Sequence, residues 1–287
     1  MTVSRKGCRK PTGSECWHGA RRLKGFYHSD MILSTQNNLH LFTFSKFIPF
    51  TEIRHGVFTR TGGFSPPPFH SLNAGLAVGD DTSAILRNRA AIAECMDGTE
   101  LVFLKQTHET SVIVFDKNAG EASSPKNHPP FSGDAMVSNV PGKTLAIQIA
   151  DCQAVALFDP EKQVIANVHS GWRGSIRNIS GKCVEVMKTR FGCRPADIIA
   201  GISPSLGPCC SEFVHYRAEI PEPFWRYKNN RDHFNFWAVT RDQLTDCGLS
   251  PQNIELPDLC TKCNDHLFFS YRQAKRTGRF VSVIGLK

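Results

Sequence analysis

No apolar run in the chain approaches the roughly 20 residues that a membrane-spanning helix needs. The first thirty residues, MTVSRKGCRKPTGSECWHGARRLKGFYHSD, are basic but lack the apolar segment of a secretory signal, so the expected compartment is the cytoplasm. No internal repeat is visible, and strands and helices follow one another without a strict β-α-β rhythm. That excludes a solenoid and argues against a doubly wound parallel sheet. No His-x-His pair occurs among the 11 histidines, which argues against a cluster of several coppers held by paired imidazoles. Acidic residues are nearly missing from one end. Residues 1–27 hold seven Lys and Arg against Glu15 alone, so six of the eight net positive charges belong to that segment and the body is close to neutral. We read residues 1–38 as a basic, disordered extension or an overcalled start, in preference to an RNA- or membrane-binding arm. Residues 39–287 form the expected folded domain.

Cysteine, in contrast, is plentiful: eleven residues, an odd count. Without a secretory signal, dispersed cysteines serve more often as core residues, ligands or nucleophiles than as disulfides. Cys95, Cys183, Cys193 and Cys247 fall in helical or apolar contexts and read as core. Cys8 and Cys16, with His18 nearby, fit no common metal spacing. Cys260 and Cys263 form a C-x₂-C pair followed by His266, but no fourth ligand is evident, and Cys209-Cys210 read as packing residues at a pocket edge.

The centre of the chain is residues 144–175, TLAIQIADCQAVALFDPEKQVIANVHSGWRGS. Residues 144–150, 154–158 and 164–168 are short, apolar and rich in branched side chains, as buried strands are. Asp151-Cys152 interrupts the first two, and His169 ends the third before a glycine-flanked turn. Around this centre, strands are expected near residues 56–58, 101–104, 111–115, 133–137, 198–202 and 280–286. A helix capped by Asp80-Asp81-Thr82 runs from about 83 to 96, its buried face built on Leu86, Ala90 and Ala93 beside Ile85 and Ile92. Further helices follow Gly174, stopping at Gly192, and span about 237–247. Residues 118–132 hold three prolines and no periodicity, and read as a long surface loop. The mix is α+β: one domain of packed mixed sheets flanked by helices.

Three residues stand out chemically. His108, Cys152 and His169 each end or interrupt a predicted strand and are followed by polar or glycine-rich sequence. Two imidazoles and a thiolate suit Zn²⁺, and three protein ligands leave a position for water, whose pKa the metal would bring down to about 7. Their spacing matches no local signature, and a buried cysteine with two hydrogen-bonded histidines fits the pattern equally well.

Phe58-Thr59-Arg60, Gly62-Gly63, Ser71-Leu72-Asn73-Ala74-Gly75, Lys105-Gln106-Thr107-His108, Ala150-Asp151-Cys152, Val168 to Gly174, Gly207-Pro208-Cys209-Cys210 and Phe269-Ser270-Tyr271-Arg272 with Thr277-Gly278-Arg279 occur in this order. Together they resemble the YfiH family, also called the laccase-domain or polyphenol-oxidase family, over about residues 40–287. The resemblance implies a fold similar to the catalytic domain of the cytotoxic necrotizing factors and one zinc on His108, Cys152 and His169. It further implies action on purine nucleosides and phosphate, adenosine deamination, or editing of peptidoglycan precursors. An older label, copper-dependent phenol oxidase, suits this chain poorly: a lone His₂Cys copper site wants a weak axial methionine, and Met136 is merely the nearest in sequence.

Phosphorolysis needs an anion site. Arg60 beside Gly62-Gly63 and Arg173 in a glycine turn at a helix start are candidates, with Asn73 for base or ribose; each has an ordinary structural alternative. Deamination needs an acid near a metal-activated water. Asp134 is one candidate; Asp151 is the other, although strand alternation would point it away from Cys152. A second chemistry uses the same residues differently, as an amide hydrolase with Cys152 as nucleophile and His169 or His108 as base. A third reading, a nucleic-acid-binding protein driven by the basic extension, is disfavoured, and neither membrane nor nucleic acid is an expected partner.

Overall fold

The computed structural model describes residues 31–118 and 131–287. Cys8, Cys16, His18 and most of the expected 118–132 loop lie outside them. Twelve strands form two six-stranded sheets among the described residues. In chain order they are β1 (Ile32–Gln36), β2 (Leu39–Thr43), β3 (Ile53–Phe58), β4 (Glu100–Phe103), β5 (Val112–Phe115), β6 (Ala135–Ser138), β7 (Lys143–Ile149), β8 (Gln153–Asp159), β9 (Val164–Ser170), β10 (Ile199–Ile202), β11 (Ile254–Glu255) and β12 (Phe280–Leu286). Five α-helices accompany them: α1 (Thr82–Cys95), α2 (Trp172–Ile176), α3 (Ile179–Phe191), α4 (Tyr216–Glu219) and α5 (Phe236–Asp246).

The first sheet runs β1-β2-β3-β12-β7-β4 and the second β11-β10-β8-β9-β6-β5. Both are mixed: pairing is antiparallel except β4 with β7, β5 with β6 and β10 with β11. The first sheet begins earlier than the boundary expected at residue 39, because β1 pairs along its whole length with β2. Both ends of β1 are exposed, so it carries no apolar alternation by which sequence could betray it.

Side-chain alternation assembles the layers. On β8, Ala154, Ala156 and Phe158 face the other sheet, while Val155 and Leu157 face α3. On β12, Phe280 and Ile284 join the same inter-sheet core, and Val281 and Val283 face outward onto the layer that contains Ile92 of α1. The result is helix, sheet, sheet, helix. Phe42, Phe44, Phe158, Phe268 and Phe280 are fully buried between the sheets, each contributing on the order of 2–3 kcal/mol of apolar burial. No helix among the described residues is long and apolar enough to cross a membrane.

Two helices differ in detail from expectation. Asp81 caps α1, accepting from the Ser83 and Ala84 amides, but the buried face turns towards Ala84, Asn88 and Arg89, and Ala90 is exposed. The reason is polar: Asn88 donates to the carbonyls of Ser71 and Asn73, and Arg89 to that of Ala74, tying the 71–75 loop to the helix. The helix after Gly174 is broken in two, because Asn178 takes a left-handed conformation and caps α3 through the Gly181 amide.

One polar residue bridges the sheets. Asn167 of β9 is fully buried and donates to the carbonyls of Leu145 and Ser282, both at 2.9 Å. Replacing it with alanine strips two buried acceptors of their donor, so Asn167→Ala should lose about 2 kcal/mol in urea denaturation with an unchanged slope. A loss below about 0.5 kcal/mol would mean that other donors serve these carbonyls.

Candidate metal centre

On β9, Ile165, Asn167 and His169 share the inter-sheet face, so His169 emerges between the sheets at one end of the sandwich. There it meets Asp134, which immediately precedes β6. The Asp134 carboxylate is fully buried and accepts from the His169 ring at Nδ1 (2.8 Å), the His108 amide (2.9 Å), the Glu109 amide (2.8 Å) and the Thr107 hydroxyl (2.8 Å). One carboxylate thus orients His169 and folds the 107–109 loop inward. His108 pays with a left-handed backbone, φ +60°. The two imidazoles meet edge to face, with ring centroids 4.8 Å apart.

Cys152 arrives from a third direction. β7 and β8 belong to different sheets, and residues 150–152 carry the chain from one to the other. Strand alternation therefore does not apply at Asp151, which lines the same cavity as Cys152. Asp151 has φ +87° and is held by the Thr261 hydroxyl, the Arg272 amide and, on its own carbonyl, the Leu206 amide. The ligand atoms of His108, Cys152 and His169 lie within 4.8 Å of one another. Gly171 leaves room beside them, since a Cβ there would come within 3.0 Å of the Cys152 sulfur.

The electrostatics are those of a coupled pair. Burial pushes the Cys152 thiol up, but the charge of His169 and hydrogen bonds from His108 and His169 outweigh it, bringing the thiol down to about 6. Burial works against the His169 imidazolium as well; the Cys152 thiolate and the bond to Asp134 raise it to about 9. Burial likewise opposes the Asp134 charge, and the His169 bond with the loop amides holds that carboxyl well below the usual range.

Beside Cys152 lies a cavity of about 290 Å³. Trp172, Phe213 and Phe236 give it aromatic walls, and Arg272 and Lys275 give it positive charge. None of Arg60, Asn73 and Arg173 is among its lining residues. Arg60 stacks on Phe269 and donates to the carbonyls of His70 and Asp265. Asn73 is fully buried, bonded to Gly75, Asp80 and the Arg279 amide. Arg173 lies exposed over the Trp172 ring. Sequence reasoning passed over Lys275, Gln153, Phe213 and Phe236 among the cavity residues, and Arg272 appeared only as part of a motif. Gln153 is buried and accepts from Thr240, while its Nε2 has no partner among the described residues.

The sequence pattern of the family described as multi-copper polyphenol oxidoreductase laccase matches residues 54–287. The chain belongs to this family, the YfiH family. Its relatives include the purine nucleoside phosphorylase YlmD of Bacillus subtilis, 31% identical over 249 residues, covering 82% of this chain and 89% of that one. The purine nucleoside phosphorylase of Bacteroides thetaiotaomicron is 29% identical, covering 88% and 98%. Among solved structures, YlmD from Geobacillus stearothermophilus superposes with a TM-score of 0.79 at 28% identity, covering 90% of this chain and 99% of that one.

In this YfiH-family chain the donor set fits a borderline cation: two nitrogens and a sulfur, close enough to share one ion, one of them oriented by a buried carboxylate. Met136 is buried in the inter-sheet core. In metal-stripped protein the Cys152 alkylation rate should rise as pH increases through about 6, because the thiolate is the nucleophile. Asp134→Asn removes support for the imidazolium, so the inflection should move upward. Alkylation titrating in the ordinary thiol range in the native chain would refute the coupling.

Proposed function

We propose that the chain is a zinc-dependent purine nucleoside phosphorylase acting on adenosine, inosine and related nucleosides. One observation carries this reading: Cys152, one member of a three-residue N₂S set, lines a cavity that also presents aromatic walls and two cations. The names of relatives at about 30% identity support the substrate class.

His108, Cys152 and His169 would hold the metal, which when bound supplies Lewis acidity at the cavity edge. Arg272 and Lys275 attract and orient phosphate, the first by its planar fork and the second as a point charge. Trp172, Phe213 and Phe236 enclose an apolar, planar base. Gln153 lines the same cavity. A phosphate oxygen then bonds to C1′ of the ribose as the C1′–N9 bond breaks, the proton of the hydrogen phosphate passing to the purine, which leaves as the free base with ribose 1-phosphate as the other product. Arg60 and Asn73 would serve this site at one remove, through the loops they hold, and Arg173 would reach it only from beside Trp172. Adenosine deamination would be a side activity of the same centre, and the cytoplasm the place of action.

The expected result is free base from adenosine or inosine only when phosphate is present, abolished by chelation and by Cys152→Ala. Arg272→Ala should raise the KM for phosphate about tenfold or more, a loss of roughly 1.4 kcal/mol or more of anion binding. Base release without phosphate, or insensitivity to chelator, would refute the phosphorylase.

One further observation favours a second chemistry. Cys152, His169 and Asp134 form a thiolate, imidazolium and carboxylate series of the kind that activates cysteine hydrolases. An amide hydrolase on cell-wall precursors would retain activity after the metal is removed, whereas the phosphorylase would lose it.

A further inference from the structure

Far apart in sequence, Cys209-Cys210 and Cys260-x₂-Cys263 do not merely pack at a pocket edge. The four sulfur atoms lie within 4.8 Å of one another, and Cys263 Sγ stands 3.5 Å from both Cys209 Sγ and Cys210 Sγ. His266, the residue the sequence offered as a partner for Cys260 and Cys263, is not part of this group.

The backbone is built to bring these two pairs together. Cys210 donates its amide to the Gly207 carbonyl, closing a turn that places adjacent cysteines on one side. Opposite it, Asn264 donates backbone and side-chain N–H to the Cys260 carbonyl, a second turn. The two segments are pinned by Ser205 donating to the Leu259 carbonyl and Thr261 donating to that of Ser205. Gly207 permits this approach. A Cβ there would lie 2.6 Å from the Trp237 ring and 3.0 Å from Cys260 Cβ.

The separations discriminate between kinds of sulfur chemistry. A disulfide requires about 2.05 Å, and Cys209, Cys210 and Cys260 carry none. Four thiolates around one Zn²⁺ at about 2.3 Å define a tetrahedron whose edges are about 3.8 Å, and the 3.5 Å contacts are close to that edge. Cys210 and Cys260 are buried, while Cys209 and Cys263 reach solvent and give the ion a path in.

We propose that Cys209, Cys210, Cys260 and Cys263 form a second metal site that binds one Zn²⁺ as a closed tetrathiolate. With four protein ligands it is structural, and what it stiffens is identifiable. Leu206 and Thr261, on the two clamped segments, both grip Asp151, the neighbour of Cys152. The ion would therefore hold one wall of the cavity in place.

The test uses the full chain carrying Cys152→Ala, to remove the first centre's sulfur, with Cys8→Ser and Cys16→Ser to remove the remaining unassigned pair. After exposure to Zn²⁺ and dialysis, elemental analysis should find one zinc per chain, and X-ray absorption at the zinc edge should show sulfur alone at about 2.3 Å. Denatured without reductant, the protein should titrate for all eight remaining thiols of the original eleven. No bound zinc, iron in its place, a shell containing nitrogen, or two missing thiols indicating a disulfide would each overturn the assignment. Adding Cys263→Ser should then abolish the stoichiometric zinc; retention would also overturn it.

Discussion

Most of the candidate metal centre depends on one buried negative charge. A carboxylate with no access to water is tolerable only when donors surround it, and Asp134 meets that requirement with the amides of residues 107–109, the Thr107 hydroxyl and the His169 ring. Satisfying the carboxylate is what bends the loop after β4 into the left-handed turn that presents His108. The same charge sets the tautomer and orientation of His169, whose remaining ring nitrogen then faces Cys152. Ligand geometry is in this sense a by-product of electrostatics: the loop and the strand are brought together by the carboxylate, and two imidazoles converge as a consequence.

The sandwich supplies the other half of the constraint. A sheet-on-sheet core closes at its ends, where strands stop and polar groups can appear without penalty to the packed interior. β9 delivers Ile165 and Asn167 into that interior and His169 just beyond it, and the crossover from β7 to β8 passes the same end. Cys152 is thus placed by topology, at the one point in the central stretch where the chain leaves one sheet for the other. The strained backbone at Asp151 is tolerable because three separate segments hold it.

Much of this was legible in the sequence. The apolar runs around residues 144–168 located β7, β8 and β9, and the polar interruptions located Cys152 and His169. What could not be read was the partition of β7 and β8 into different sheets, since both runs are buried on two faces and look alike. That single ambiguity misdirects Asp151, because the alternation rule assumes a continuous strand. Arg60 and Asn73 were conspicuous for the same reason that they are occupied: polar residues in glycine-rich loops are often the ones that hold those loops. β1 was invisible because it is exposed. The four-cysteine group was invisible because it joins residues 50 positions apart, and half of it, the adjacent Cys209-Cys210, resembles no local ligand spacing.

Asp151 connects the two candidate ligand groups, and the connection has a direction. Its side chain accepts from Thr261 on one clamped segment, its carbonyl accepts from Leu206 on the other, and its chain neighbour is Cys152. Anything that fixes those two segments relative to each other narrows the positions open to Asp151, and through it to the Cys152 sulfur. A ligand set assembled from three unrelated segments loses affinity and precision when one segment drifts, because the ordering cost then falls on metal binding itself. A closed thiolate site behind the cavity would move that cost into folding, adding to the backbone pairing of Ser205 with Leu259 and Thr261 and to the apolar cluster of Leu206, Cys210, Trp237 and Cys260.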